Sequence, residues 1–124
     1  MDAVNLKLAK AAEFLVMAEF ALDGDCFDAA VSLAVSAGIN AGDAACLQFL
    51  GVLPSGQDHG EAPRALQRAG HHQASSLLSR LLSVKSKAQY SVKRCTPVDA
   101  DVAVKRADRM LRTVRASIPG ATGE

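Results

Sequence analysis

Basic side chains between residues 80 and 94 are the first candidates for chemistry. They are Arg80, Lys85, Lys87, Lys93 and Arg94. With the basic face of the last predicted helix, they can form a groove for phosphates, and such binding weakens as salt rises. Tyr90 is the only residue nearby that can stack on a base. This density of cations favours a site for a nucleic acid or a nucleotide, and a solvated basic face without a ligand is the alternative.

A polar line follows one face of the stretch 25–50. Ser36, Asn40 and Asp43 recur in it at steps of three or four residues, the spacing that aligns side chains along a helix. We expect these side chains to share a cavity with Tyr90 and to contribute to nucleotide binding. A hydrogen-bonded seam between two helices is the alternative, because buried polar groups need partners in any case.

His59 is a weaker candidate, and it follows Asp58 in a segment rich in loop-forming residues. A histidine beside a carboxylate can act as a general base or bind a metal. Two or three ligands on one loop make a weak metal signal, and no pair of cysteines has the CxxC spacing of a zinc site. We therefore predict no metal and no cofactor, and we keep His59, Lys85 and Tyr90 as catalytic candidates.

The composition indicates an all-helical fold. The chain has 124 residues, of which 49% are hydrophobic, with no Trp and a single Tyr. Alanine, leucine and valine dominate the sequence, which suits helix-on-helix packing. We predict one domain over residues 1–117 and a flexible tail over 118–124. Since we find no leader sequence and no apolar run of about 18 residues, we expect a cytoplasmic protein that does not enter a membrane.

Hydrophobic periodicity and breaking residues predict an up-and-down antiparallel bundle of four long helices and one short helix. The predicted helices are Asn5–Leu22, Asp25–Leu50, Glu61–Ala69, Ala74–Val92 and Pro97–Ser117. The carboxylate of Asp25 is expected to cap the second helix, and Thr96 is expected to cap the last one. Gly38 and Gly42 lie inside the second helix, where each costs about 1 kcal/mol relative to Ala. A helix that keeps both glycines is expected to have a close neighbour there.

Charge divides between the two halves of the chain. Residues 1–63 contain two basic and nine acidic side chains, whereas residues 64–124 contain twelve basic and four acidic ones. The net charge of the whole chain is only +1. Such a division suits self-association or an anionic ligand on the C-terminal half. Neutralisation of one half by the other inside the fold is the alternative.

Three stretches make the chain resemble the HEPN superfamily of small helical-bundle proteins. They are residues 28–38 (DAAVSLAVSAG), 43–46 (DAAC) and 81–91 (LLSVKSKAQYS). The similarity covers roughly residues 5 to 117. Many HEPN proteins are metal-independent ribonucleases and toxins that act as homodimers and pair with an antitoxin. The resemblance therefore implies a homodimer and a cognate antitoxin-like protein as partners.

The HEPN ribonuclease motif is an arginine followed, four to six positions later, by a histidine. Lys85 stands where the arginine would be, and Tyr90 stands where the histidine would be. Lysine still binds phosphate, as a point charge without the bidentate fork of arginine, but tyrosine is a poor general base at neutral pH. The resemblance thus implies that phosphate binding is retained and that ribonuclease activity is lost.

These observations predict a non-catalytic HEPN-like module that binds RNA or a nucleotide, in a toxin–antitoxin or defence-type pair. RNA binding is then expected to be lost in Lys85→Glu. A ribonuclease with an altered Lys85 and Tyr90 site is one alternative, and a protein-interaction scaffold that binds no nucleic acid is another.

Overall fold

The chain folds into five α-helices. The computed structural model describes residues 2–54 and 60–121, and within them there is no β-strand. The helices are α1 (Ala3–Asp23), α2 (Phe27–Leu50), α3 (Glu61–Arg68), α4 (His72–Gln89) and α5 (Pro97–Ser117). The predicted all-α bundle of four long helices and one short helix is confirmed, and each helix lies within three residues of its predicted bounds.

Helix α2 lies at the centre of the bundle. It packs against all four other helices, and α5 packs against α1, α2 and α4. Helices α1 and α4, both described over their full length, do not contact each other because α2 and α5 separate them. Eleven of the 24 residues of α2 are buried, against four of the 21 residues of α1. The burial shows that α1 covers one side of the bundle while α2 forms its core.

The two glycines of α2 are covered by leucine and methionine side chains. A Cβ atom at Gly38 would lie 2.6 Å from Cδ1 of Leu81, closer than real Cβ contacts. At Gly42 the nearest atom, Cε of Met110, would be 3.4 Å away, an ordinary contact distance. The predicted close neighbour is therefore present, and the atoms that approach are side-chain methyl and thioether groups of α3, α4 and α5.

By length and composition alone, α2 also meets the criterion for a membrane-spanning helix, although no run of 18 uninterrupted apolar residues occurs. In the bundle, 61% of its most apolar window is buried against other helices. The core helix of a soluble protein passes the same test, so this feature does not by itself locate the protein.

The link between α1 and α2 differs from the prediction in one respect. Asp25 has a φ of +59°, whereas a residue that caps a helix with its side chain usually has an extended backbone. Cys26 occupies the N-cap position instead and makes no capping hydrogen bond with its side chain. The backbone N–H of Cys26 donates to the carbonyl of Ala21 at 2.8 Å. The tight turn thus requires the left-handed conformation at Asp25, which prevents the predicted cap.

Helix α4 ends three residues before its predicted end. Tyr90 is the C-cap, and the N–H of Ser91 donates to the carbonyl of Ser86. The hydroxyl of Ser91 then accepts from the N–H of Lys93 at 3.0 Å. Serine that bonds the backbone two residues ahead favours a turn over a helix, which explains the early end.

Helix α5 begins as predicted. Thr96 and Asp99 form a capping box, in which the N–H of Asp99 donates to Thr96 Oγ1 at 3.0 Å and the N–H of Thr96 donates to Asp99 Oδ2 at 2.8 Å. At the other end, Ile118 is 7% exposed and belongs to the core. The core therefore extends one residue beyond α5, into the segment predicted as a tail.

Candidate nucleic-acid interface

A cationic groove runs between α4 and α5. It has a volume of about 200 Å³ and is open to solvent. We call it the α4–α5 groove, and it is lined by Leu77, Arg80, Val102, Lys105, Arg106 and Arg109. Leu77 and Arg80 belong to α4, and the other four residues recur at three- and four-residue steps on one face of α5. Four cations therefore surround an apolar floor made by Leu77 and Val102.

The four cations of the α4–α5 groove differ in how far they are neutralised. The guanidinium groups of Arg80 and Arg106 make no hydrogen bond or ion pair with any residue that the structure describes. Lys105 Nζ lies 2.9 Å from Asp101 Oδ2, in a pair that is largely exposed. With the amide of Gln73 turned so that its oxygen faces α5, that oxygen accepts from Nε and Nη2 of Arg109 at 3.0 and 3.2 Å. The groove thus keeps two cations without a carboxylate or hydrogen-bonding partner.

Lys87, a predicted phosphate ligand, is engaged in the fold. Its Nζ lies 2.8 Å from Oδ2 of Asp99, the residue that completes the capping box of α5. This hydrogen bond is the main reason that the pKa of Lys87 is raised and that the pKa of Asp99 is lowered. Lys87 therefore joins the end of α4 to the start of α5 and is not a free cation.

Asp28 reaches the same region from α2. Its Oδ1 accepts from the backbone N–H of Cys95 at 2.8 Å, and its Oδ2 lies 3.5 Å from Nε of Arg94. The backbone hydrogen bond from Cys95 is the largest cause of the lowered pKa of Asp28. We call this set the linker joint, and it consists of Asp28, Lys87, Arg94, Cys95, Thr96 and Asp99.

The other basic candidates lie outside the α4–α5 groove. Lys85 follows Arg80 by five residues, which rotates it by about 140° around α4, and its side chain is half-buried. Tyr90 is 76% exposed at the C-cap of α4. Lys93 is exposed in the linker to α5. Of the five predicted basic and aromatic ligands, the structure places only Arg80 in the groove.

The polar line of α2 does not face Tyr90. Asp43 Oδ2 lies 3.0 Å from Nζ of Lys7 on α1, and both side chains are mostly buried. The amide of Asn40 donates to the carbonyl of Ser36 within α2 at 2.8 Å. Asn40 follows Gly38 by two residues and therefore points to nearly the opposite side of α2 from Leu81 of α4. Asp43 thus lies toward α1, and Asn40 lies on the side of α2 away from Leu81, rather than both facing α4.

His59 and Asp58 lie outside the described residues. Among the residues that are described, no three His, Cys, Asp or Glu side chains come together in a geometry that could hold a metal ion. The groove itself offers arginine, lysine, leucine and valine. None of these side chains is a good proton acceptor at neutral pH, so the groove is suited to binding an anion rather than to acid–base chemistry.

Lys105, Arg106 and Arg109 were not among the predicted site residues, although the basic face of the last helix was noted. The signal was present in the spacing of Val102, Lys105, Arg106 and Arg109, which places one apolar and three basic side chains on one face of α5. What the sequence did not show is which residue of α4 lies opposite that face.

No family model matches the chain, and no curated protein matches it either.

Proposed function

We propose that this chain is a non-catalytic, HEPN-like module that binds RNA through its phosphates, and that the α4–α5 groove is the binding site. The observation that carries the proposal is the pair Arg80 and Arg106, two arginines on facing helices whose guanidinium groups have no partner within the described structure. Guanidinium groups fit phosphate oxygens with two parallel hydrogen bonds. Two such groups on opposite sides of a groove can hold one phosphate each.

The floor of the groove supports recognition of the backbone rather than of the bases. Leu77 and Val102 are aliphatic, and none of the six lining residues has an aromatic ring on which a base could stack. We therefore infer binding that does not depend on base sequence. The lack of a proton acceptor among the lining residues supports binding without cleavage. As the HEPN resemblance implies, the module would act beside a cognate antitoxin-like protein.

Salt dependence is the first test. Fluorescence anisotropy with a labelled 20-nucleotide single-stranded RNA measures the dissociation constant at ~50 mM and ~200 mM salt, and each phosphate contact contributes a slope of about 0.7. If only Arg80 and Arg106 contact phosphates, affinity should fall about 7-fold over this range, and with all four cations it should fall about 50-fold. The RNA should remain intact on a denaturing gel.

Charge reversal locates the site. Arg80→Glu and Arg106→Glu should each weaken binding and lower the salt slope by about 0.7. Lys85→Glu is the matched control, because it makes the same charge change on another face of α4. Loss of binding in Lys85→Glu alone would place the site at the HEPN motif and refute the groove. Absence of binding at ~50 mM salt would refute the RNA-binding function and favour a protein scaffold, and a nucleoside triphosphate that competes at stoichiometric concentration would point to a nucleotide ligand.

A further inference from the structure

Helix α1 has a solvent-facing seam with a regular spacing. The members are Ala3, Leu6, Lys10, Glu13, Met17 and Phe20, which follow one another at alternating steps of three and four residues. All six are exposed. Leu6 and Met17 are close to half-exposed, and Phe20 is 75% exposed. Alternating three- and four-residue steps are the spacing of the contact positions in a coiled coil. We call this set the α1 seam.

The α1 seam is separate from the face of α1 that packs in the bundle. The buried residues of α1 are Leu8, Ala11, Leu15 and Ala18, which lie roughly opposite the seam around the helix axis. Lys10 and Glu13, at the middle of the seam, make no ion pair with any described side chain. Val16, which is 60% exposed, adds apolar surface beside the seam.

The order of apolar and charged residues along the α1 seam is the same from either end. From either end it consists of two apolar residues and then one charged residue, with Lys10 and Glu13 next to each other at the centre. If a two-fold axis passes between residues 11 and 12, Lys10 faces Glu13 of a second copy. The same axis places Leu6 opposite Met17, and Ala3 opposite Phe20. We propose that two copies of this chain associate through antiparallel packing of their α1 seams.

The charges select both the orientation and the occupant. In a parallel arrangement Lys10 would face Lys10 and Glu13 would face Glu13, and like charges in contact oppose association. In the antiparallel arrangement both pairs are of opposite sign and occur twice, as two-fold symmetry requires. A second copy of this chain is thus the occupant whose charge pattern the seam complements without any further assumption. The central ion pairs fix register, while the apolar positions on either side supply the burial.

Complementary charge variants test the proposal. Sedimentation equilibrium measures the mass at one concentration at which the wild type is a dimer of the 12.9 kDa chain. Lys10→Glu places two glutamates opposite each other in both of the central cross-helix pairs and should give a monomer. Glu13→Lys places two lysines in each pair and should also give a monomer. An equimolar mixture of the two variants should form a heterodimer, because each glutamate then faces a lysine. The double variant Lys10→Glu/Glu13→Lys should dimerise again.

Glu19→Lys is the matched control, since Glu19 is an exposed residue of α1 outside the seam and this variant should retain the wild-type mass. Circular dichroism checks that each single variant is folded. If one of them is not folded, the double variant still decides the question. A wild type that stays monomeric at every soluble concentration would refute the proposal. A dimer that survives either single reversal, or a mixture that stays monomeric, would also refute the α1 seam. These results are independent of RNA binding, since the seam shares no residue with the α4–α5 groove.

Discussion

The α4–α5 groove and the linker joint are neighbouring clusters of cations on the same pair of helices, and they differ in how their charges are satisfied. In the linker joint Lys87 and Arg94 lie beside Asp99 and Asp28. In the groove Arg80 and Arg106 have no carboxylate partner within the described structure. The residue types are similar in the two regions. The difference shows that a basic side chain near a candidate site either stabilises the fold or is available to a ligand, depending on whether the adjacent helix places a carboxylate beside it.

The largest expected effect is that variants of the groove change RNA affinity, whereas a variant of the linker joint changes the melting temperature. Arg80→Ala/Arg106→Ala should weaken RNA binding and lower its salt slope by about 1.4, so that the loss is about 7-fold greater at ~50 mM than at ~200 mM salt. The melting temperature should stay near that of the wild type. Lys87→Ala should lower the melting temperature and leave the salt slope of binding unchanged. Anisotropy titration and thermal circular dichroism measure the two quantities. If Lys87→Ala reduced the slope as strongly as the groove variant, the distinction between the regions would fail.

The next prediction concerns the packing of α4 against α2, because α4 carries residues of both regions. In Gly38→Ala the new methyl group would collide with Leu81, a fully buried side chain, whereas in Gly42→Ala it fits at ordinary contact distance. Both variants gain the same helix propensity, so the strain decides the difference. The free energy of unfolding of Gly38→Ala should lie about 1–3 kcal/mol below that of Gly42→Ala. Urea denaturation measures it, and equal stabilities would show that Leu81 can move aside.

Acid should weaken the linker joint before it affects the charges of the groove. The pKa values of Asp28 and Asp99 are lowered in the folded chain by the hydrogen bonds from Cys95 and Lys87. A carboxylate with a lowered folded-state pKa stabilises the fold above its unfolded pKa, near 3.8, and this contribution is lost as the pH falls through the folded-state value. The stability difference between wild type and Asp28→Ala should therefore shrink below pH 3.8.

Asp28→Asn is the companion variant for this pH series. Its amide oxygen can still accept the N–H of Cys95, but it carries no charge. Its stability should lie between those of the wild type and Asp28→Ala at neutral pH. Chemical denaturation from pH 7 down to pH 3 measures all three proteins, and a wild-type advantage over Asp28→Ala that did not change with pH would contradict the role of the carboxylate.

The smallest expected effect comes from a variant that removes a carboxylate from the edge of the groove, so that fewer of the groove's cations are neutralised than those of the linker joint. Asp101 lies beside Lys105 at the edge of the groove, and Asp101→Asn removes the carboxylate that neutralises this cation. RNA affinity should rise by about 2- to 3-fold at ~50 mM salt, with a salt slope steeper by up to about 0.7. Asp108→Asn, which frees Arg112 outside the groove lining, is the control. An unchanged slope in Asp101→Asn would show that Lys105 does not contact the RNA.

Local features of the fold were predictable from the sequence because their causes lie within a few residues. Thr96, Pro97 and Asp99 specify the start of α5, since the capping box needs only residues three positions apart. Gly51, at a φ of +75°, ends α2 as its C-cap. The early end of α4 and the left-handed Asp25 were missed, because each depends on a turn that the helical pattern does not reveal.

The candidate site was only partly predictable. Arg80 was identified and the basic face of α5 was noted, but Lys85, Tyr90, Asn40 and Asp43 were expected to lie together. They do not, because Asp43 pairs with Lys7 of α1 and Tyr90 lies beyond the end of α4. Charge and spacing locate side chains on a helix, but they do not show which other helix each face meets.

The sequence by itself determined the five helices and the capping box of α5, because hydrogen bonds and side-chain periodicity act over one or two turns. Only the tertiary structure decided which cations are neutralised. Lys87 lies beside Asp99 because α4 ends where α5 begins, and Arg80 faces Arg106 because the middles of these two helices meet without a carboxylate between them. The physical reason is that the free energy of a charged side chain depends on its neighbours within a few ångströms, and in a helical bundle those neighbours come from distant parts of the chain.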